Sequence, residues 1–376
     1  MPPAACRRSP LRRAMALGIA LAGSACLSLA ASLSPGPADA PRPNGAPLRT
    51  YRFVAPTMGT QATLTLVGED SLALAPCAAR ILGNLARVDS LMSNWTHTSE
   101  VARINGALDA TVGGAPLALE PETARVLAAA LAVAAASEGA FDITVEPLVR
   151  LWGFLGGPKR VPSAAEIAAL RPRVGRALLA LDPASGLAAA RAGVRIDLGG
   201  IAKGYAVDCL RDSLLAMGMR DALVDLSGNI ALLGAPPGRD TWRLGLRDPA
   251  DREATLGTLR LPRPAVATSG DYEQFFAADG KRYGHILDPR TGWPVDSLAS
   301  ATVVMDSAMQ ADAWATALCV LGPSAARRLA RERHDLEAIL VERRDEGPDL
   351  VWVEEGLAAS FSLDPALAER YALRRF

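Results

Sequence analysis

The sequence predicts an α+β protein in which mixed sheets pack with helices, as one large domain or two intimately packed halves. Three observations lead there. The 376 residues are 50% hydrophobic and 21% charged, an ordinary globular composition with apolar material for a sizeable core. Short segments of two-residue alternation recur, several of them joined in pairs by tight turns. Helical stretches are interleaved with them and no internal repeat is visible, which fits a mixed α/β or α+β sheet protein.

Charge excludes one class of partner. Forty Lys and Arg balance forty Asp and Glu, and no long basic run follows Arg13, so there is no electrostatic footprint for nucleic acid. Residues 1–31 read as an export signal: Arg7, Arg8, Arg12 and Arg13 make a positive start and residues 14–31 an apolar stretch. Residues 38–40 and 28–30 are both candidate cleavage sites, Cys26 is a candidate for lipid attachment, and the paired arginines leave a twin-arginine route open. Residues 32–48, rich in Pro, Gly and Ala, are expected to be a flexible linker, and residues 49–365 the folded domain. No later segment reaches about 18 uninterrupted apolar residues, so no second membrane span is expected. Cys77, Cys209 and Cys319 form no C-x-x-C pair and read as buried free thiols, with a disulfide the alternative in an oxidising compartment.

Residues 50–55 and 60–67 are expected as strands, with residues 56–59 a turn that presents Met58 or simply closes a hairpin. Ile81, Leu85, Val88 and Met92 share one face of a helix over 77–92. Trp95 follows in a polar loop, where it either stacks on a flat ligand or covers the core edge. Residues 123–137 form a helix too short for a bilayer, and residues 139–145 turn into an extended segment with Asp142. Ser163 and Glu166 have capping-box spacing for a short helix. Strands are expected over 222–226, 231–234, 242–247 and from 265, with 227–229 a simple turn.

The stretch 194–208 concentrates chemistry. It predicts an apolar strand over 194–198 with Asp197 near its end, a sharp turn at Gly199 and Gly200, and a helix from Ile201 to about Gly218. A carboxylate, a glycine turn that lets backbone approach a ligand, and Lys203 at a helix start suit an anion, or serve as a packing turn. His285, one of three histidines, precedes a Pro/Gly turn, where a lone histidine is more often structural than catalytic. Ser307 and Gln310 start a further helix, on which Asp312 and Thr316 share a face. In that alanine-rich setting an unpaired Asp312 is costly; a hard cation such as Mg²⁺, or an Asp–Thr hydrogen bond, would relieve it.

Seven motifs stand in order: Thr57-Met58-Gly59-Thr60, Ser93-Asn94-Trp95, Ala140-Phe141-Asp142, the run from Asp197 to Tyr205, Ser269-Gly270, His285 to Pro289 with Thr291-Gly292, and Ala311-Asp312-Ala313 with Thr316. Together they resemble the ApbE family of FAD:protein FMN transferases. Each motif alone is weak, whereas the ordered set is specific and spans essentially the whole expected domain. The resemblance implies a Mg²⁺-dependent enzyme that cleaves FAD and attaches FMN through a phosphoester to a Thr or Ser of an exported or membrane-bound acceptor protein, releasing AMP. By resemblance, Met58, Trp95, Ala140, Phe141, Asp142, Asp197, Lys203 and Leu287 line the FAD site. The backbone carbonyl of Gly200, with Asp312 and Thr316, would hold Mg²⁺, and His285 would be the general base, near neutral pKa. The resemblance also implies a place on the periplasmic side of the inner membrane, with lipid anchoring at Cys26 open. Two departures stand out: Ala315 where some relatives carry a carboxylate, and Ser227 where a second glycine is common. An FAD pyrophosphatase using water, and an exported flavin-binding protein without turnover, are the alternatives.

Overall fold

The computed structural model describes residues 47–110, 116–182, 186–189, 191–261 and 263–376. The expected export signal with Cys26, and residues 32–46 of the expected linker, lie outside the described residues. The first part of the fold contains β1 (Arg49–Thr57), β2 (Thr60–Gly68), α1 (Ser71–Gly83), α2 (Leu85–Met92), α3 (Glu100–Ala110), α4 (Pro121–Ala136), α5 (Glu146–Leu151) and α6 (Ala164–Leu170). Next come β3 (Leu179–Asp182), β4 (Gly186–Ala189), α7 (Ala202–Ala216), β5 (Ala222–Leu226), β6 (Asn229–Leu233), β7 (Arg243–Arg247) and β8 (Thr255–Arg260). The remainder is β9 (Ala265–Gly270), β10 (Phe275–Ala278), β11 (Lys281–Gly284), β12 (Leu298–Met305), α8 (Ala308–Glu332), β13 (Glu337–Glu342), β14 (Asp349–Val353), β15 (Phe361–Leu363) and β16 (Tyr371–Arg375).

A nine-stranded sheet, β1-β2-β5-β6-β9-β12-β13-β14-β16, organises these elements. It is antiparallel except for β14 and β16, which run parallel. The sheet continues past residue 365 through β16, and Phe376 packs into the main core. The period of two divides its side chains between two faces. Ala222, Val224 and Leu226 of β5 and Ala265 and Ala267 of β9 join the core that holds α7 and α8. Leu223 and Val266 join the opposite core, with the three-stranded sheet β15-β8-β7. The helix-facing side is alanine-rich, and fully buried Ala308, Ala311, Ala315 and Ala317 answer from α8. Small side chains on both sides let α8 seat close to the sheet. A smaller core of Leu148, Trp152, Phe154, Ile167 and Leu287 sits beside it. Among the described residues no helix is long and apolar enough to cross a membrane; Cys77, Cys209 and Cys319 are free thiols, but only Cys319 is buried as expected, Cys77 and Cys209 being half-buried.

Two tight turns mark one end of the sheet. Met58-Gly59 (φ 46 and 70) closes β1–β2, and Ser227-Gly228 (φ 53 and 85) closes β5–β6. Two left-handed residues in a two-residue turn match the twist of the flanking strands. The turns are joined by a hydrogen bond between the Thr60 and Ser227 hydroxyls. Ser269 and Gly270 finish β9 at the same end, because β6 and β9 are antiparallel with Asn229 opposite Ala267.

Three local expectations change. The helix expected over 77–92 is two helices broken at Asn84, whose side chain bonds Ser213 Oγ at 3.2 Å. Arg87 N bonds back to Asn84 O, a tighter turn that re-aims α2. Residues 143–145 form a 3₁₀ turn leading into α5, not an extended segment, because Asp142 caps it at Thr144 N (2.9 Å). Residues 194–198 are apolar but join no strand ladder. The Asn105 and Asn94 side chains and the Ile143 carbonyl, rather than a neighbouring strand, satisfy this backbone.

Candidate active site

Residues 194–208 reach their geometry through three clamps. Asn105, on α3, holds both sides of Ile196: its Oδ1 accepts from Ile196 N at 2.7 Å and its Nδ2 donates to Ile196 O at 3.0 Å. Asn94 Nδ2 donates to the same carbonyl at 3.3 Å, tying the Trp95 loop to this segment. Asp197 N donates to Ile143 O at 2.7 Å, which brings the 140–145 segment alongside. Asp197 Oδ1 then accepts from Gly199 N at 2.8 Å, and Lys203 Nζ returns to Gly199 O at 2.9 Å. The turn is thereby closed from both sides. At Gly200 a Cβ would lie 3.2 Å from Phe141 Cε2 and 3.3 Å from Thr316 Oγ1. Glycine is needed there for close approach: the main chain is wedged between an aromatic ring and the α8 hydroxyl.

Helices α7 and α8 meet at the same place. Gly204 N donates to Asp312 Oδ2 at 3.0 Å, so Asp312 is not the unpaired buried carboxylate that its alanine-rich helix suggested. Burial nevertheless pushes the Asp312 carboxyl above its ordinary range, opposed by Lys203, by the Gly204 N–H and by a hydrogen bond with Asn229. Thr316 Oγ1 lies 3.1 Å from Ser269 Oγ, joining α8 to the end of β9. The start of α8 is fixed from α7: the Asp208 carboxylate accepts from Ser307 Oγ (2.6 Å), Ala308 N (2.9 Å) and Met309 N (3.0 Å). A carboxylate at a helix N-terminus satisfies orphan N–H groups and suits the helix dipole.

His285 follows β11. Its Nδ1 is 3.2 Å from Gln274 O, and a carbonyl only accepts. The neutral ring therefore carries its hydrogen on Nδ1 and leaves Nε2 as the acceptor. The ring stands edge-on to Phe154, with centroids 6.3 Å apart. Burial and then the Lys203 charge lower its pKa to about 4. The sequence suggested a histidine near its ordinary value, but desolvation and a nearby ammonium both oppose its cationic form. Burial also raises the Asp197 carboxyl, opposed by its backbone bond to Gly199, and Lys203 again contributes. Lys203 is thus the charge common to Asp197, Asp312 and His285.

The other expected residues stand on separate supports. Met58 occupies the β1–β2 turn and packs on the main core, whereas Trp95 is 65% exposed in its loop. Ala140 and Phe141 are buried, Phe141 against Gly200. Asp142 spends its carboxylate on the fold, accepting from Thr144 N, from Thr144 Oγ1 (2.6 Å) and from Arg176 N (2.6 Å). Leu287 is buried in the small aromatic core and bridges to Pro294. Three groups near the site have no counterpart in the sequence reading: Asn105, Asp208 and the buried Glu146, which pairs with Arg150 and Arg195. Asn105 and Asp208 bond to segments far along the chain, so spacing carries no signal of them, whereas the Glu146–Arg150 pair has the i,i+4 spacing of one helix. Among the described residues no three His, Cys, Asp or Glu side chains cluster as a metal site. A cation here would draw on one carboxylate, Asp312, and on neutral oxygens.

Comparison with known proteins addresses the chain as a whole. The ApbE family model matches residues 58–340. An FAD:protein FMN transferase of Klebsiella pneumoniae (strain 342) is 35% identical over 298 residues, 78% of this chain and 89% of the relative. A Salmonella typhimurium FAD:protein FMN transferase is 32% identical over 331 residues, 86% of this chain and 92% of the relative. Among solved structures, the flavin transferase ApbE from Vibrio cholerae superposes with a TM-score of 0.74 at 31% identity, covering 84% of this chain and 100% of that one. The apo form of Pseudomonas stutzeri flavinyl transferase ApbE gives a TM-score of 0.69 at 33% identity, covering 86% and 97%. With the family match running from the β1–β2 turn into β13 and the fold shared at this level, the chain belongs to the ApbE family.

Proposed function

We propose that this chain is an FAD:protein FMN transferase that works with Mg²⁺ on a Thr or Ser of an exported acceptor protein. The observation that supports it most is the convergence of Lys203, Asp312 and His285 beside the Gly200–Thr316 contact at one end of the sheet. The Gly199–Gly200 turn and Lys203 suit the pyrophosphate of FAD, and Trp95 in its exposed loop suits a planar ring. The reaction joins the acceptor hydroxyl oxygen to the FMN phosphorus, breaks the phosphoanhydride bond, and releases AMP. Its proton goes to Nε2 of His285, which is neutral and unprotonated throughout the physiological range.

The site's donors fit Mg²⁺: a buried carboxylate whose raised pKa a cation would reverse, a hydroxyl at Thr316, and the Gly200 carbonyl, all hard oxygens. When bound, the ion would offset negative charge on the pyrophosphate. Lys203 would share that task, and Phe141 and the packed α7–α8 contact would keep the phosphate end of the site dry. The apolar leader at 1–31 supports an exported location, on the periplasmic side of the inner membrane, where Cys26 could add an anchor.

The test is incubation of the mature protein with FAD, Mg²⁺ and a panel of exported acceptor proteins. Fluorescence in denaturing gels and an FMN mass increment on a Thr or Ser are the expected results. FMN and AMP formed without acceptor would instead indicate hydrolysis, and stoichiometric FAD retention without products a binding protein.

A further inference from the structure

Asn229 opens β6 on the face of the sheet that α7 and α8 cover, in phase with Ala231. It is 1% exposed, and its side-chain Oδ1 has no hydrogen-bond partner. Its Nδ2 lies 3.5 Å from Leu226 O, and its amide also bonds the Asp312 carboxylate. Both neighbours are acceptors, so the amide hydrogens must face them; the flipped side chain would set oxygen against oxygen. The atom left over is a buried acceptor without a donor, which native proteins rarely keep unless something else satisfies it. The rest of the pocket is also made of oxygen. Asp312 is bonded to Asn229, Thr316 lies one turn along α8, and Ser269 reaches Thr316 from β9, the strand paired with β6. Ala315 leaves α8 with a single carboxylate here.

We infer that Asn229 supplies a further oxygen to the divalent cation of this site. Its Oδ1 joins Asp312, Thr316 and the Gly200 carbonyl, while its Nδ2 holds the Asp312 carboxylate in orientation. The inference rests on the proposed Mg²⁺ dependence and adds a ligand from a third element, the β5–β6 hairpin. It assigns a chemical reason for an asparagine where the tight turn itself ends at Gly228. It also places the cation between the sheet end and both helices, so that bound metal ties β6 to α8.

Titration of the flavin-free full chain with Mg²⁺, followed by calorimetry and by the Mg²⁺-dependent rise in Tm, separates the two claims. Asn229→Leu keeps the volume without the oxygen and is expected to weaken Mg²⁺ binding tenfold or more. Asn229→Asp keeps an oxygen for the cation but loses the Nδ2 donor to Asp312, and is expected to bind Mg²⁺ more tightly than Asn229→Leu. Should the leucine variant not fold, Asn229→Ser, too short to reach, is expected to bind as weakly as it would have. Parent-like Mg²⁺ affinity in a folded Asn229→Leu or Asn229→Ser chain overturns the inference, as does Asn229→Asp binding no more tightly than Asn229→Leu. If Asp312→Ala abolishes binding while the Asn229 variants do not, only the Asn229 assignment falls. A parent chain that takes up no Mg²⁺ removes both.

Discussion

Gly204 and Asp312, 108 residues apart, meet through a 3.0 Å hydrogen bond from the Gly204 N–H to Asp312 Oδ2. A Cβ on Gly204 would stand 2.2 Å from Ala308 O and 2.8 Å from Asp312 Cβ. Neither is the free end of a flexible side chain, so α7 and α8 must part to admit a methyl group. Gly204→Ala is expected to destabilise the protein by about 2–3 kcal/mol through overpacking and to suppress flavin transfer. Urea unfolding checks it; an unchanged midpoint would show that the helices separate freely.

Asp312 sets stability against activity. A carboxyl whose folded pKa is raised costs the empty protein stability once pH exceeds its ordinary value, because ionisation is easier in the unfolded chain. Asp312→Asn keeps shape and an acceptor for Gly204 N–H without charge. The flavin-free variant is expected to be as stable as the parent, or more so by about 1 kcal/mol, while Mg²⁺-dependent transfer is lost. Thermal melts at neutral pH with the transfer assay measure both; retained transfer would refute the assignment of Asp312.

The pKa of His285 is expected to depend on Lys203. With a folded value near 4 against 6.5 unperturbed, His285 favours folding above the unperturbed value, and that contribution is lost as pH falls toward 4. Removing the ammonium in Lys203→Met is expected to move the titration upward, since the like charge is gone. Imidazole resonances can be followed by NMR through the titration, because the chain has three histidines. An unmoved midpoint would remove Lys203 as a cause and leave burial, with the more weakly acting Lys159.

His285→Ala is expected to spare FAD binding and stop transfer. Fluorescence titration of flavin alongside the acceptor assay reads the two effects separately. Full transfer by the variant would remove His285 as the base.

The link from α7 to the N-terminus of α8 is a stability device. Asp208→Ala removes an acceptor from Ser307 Oγ and two backbone N–H groups and takes one of the two carboxylates that Arg211 pairs with. A loss of about 2–3 kcal/mol is expected, above that of a typical exposed cap, measured by chemical denaturation. A loss below half of that would mean water replaces the carboxylate.

What the sequence made legible is chiefly local. Ser163 with Glu166 announces α6, Ser307 announces α8, and two-residue alternation outlines β2. The ordered motifs also pointed to segments that the fold brings together, Gly200 with Phe141 and Thr316. Long-range satisfaction was hidden. Residues 194–198 looked like a strand because their apolar pattern is right, yet their partner is the Asn105 side chain. Asn229 looked like an ordinary turn residue, since its buried neighbour is 83 positions away on α8. His285 was legible as a candidate base, whereas its low pKa comes from burial and Lys203, which only the folded chain supplies.

The common charge at Lys203 has a consequence for the idle enzyme. Burial first, and then the Lys203 charge, make the imidazole of the empty site a weak proton acceptor, its pKa lowered to about 4. Arrival of a pyrophosphate would neutralise that ammonium and make the ring more basic at the moment a hydroxyl must be deprotonated. The empty site would hold its base below full strength, with burial setting the larger part of the deficit and Lys203 the part that an anion can lift.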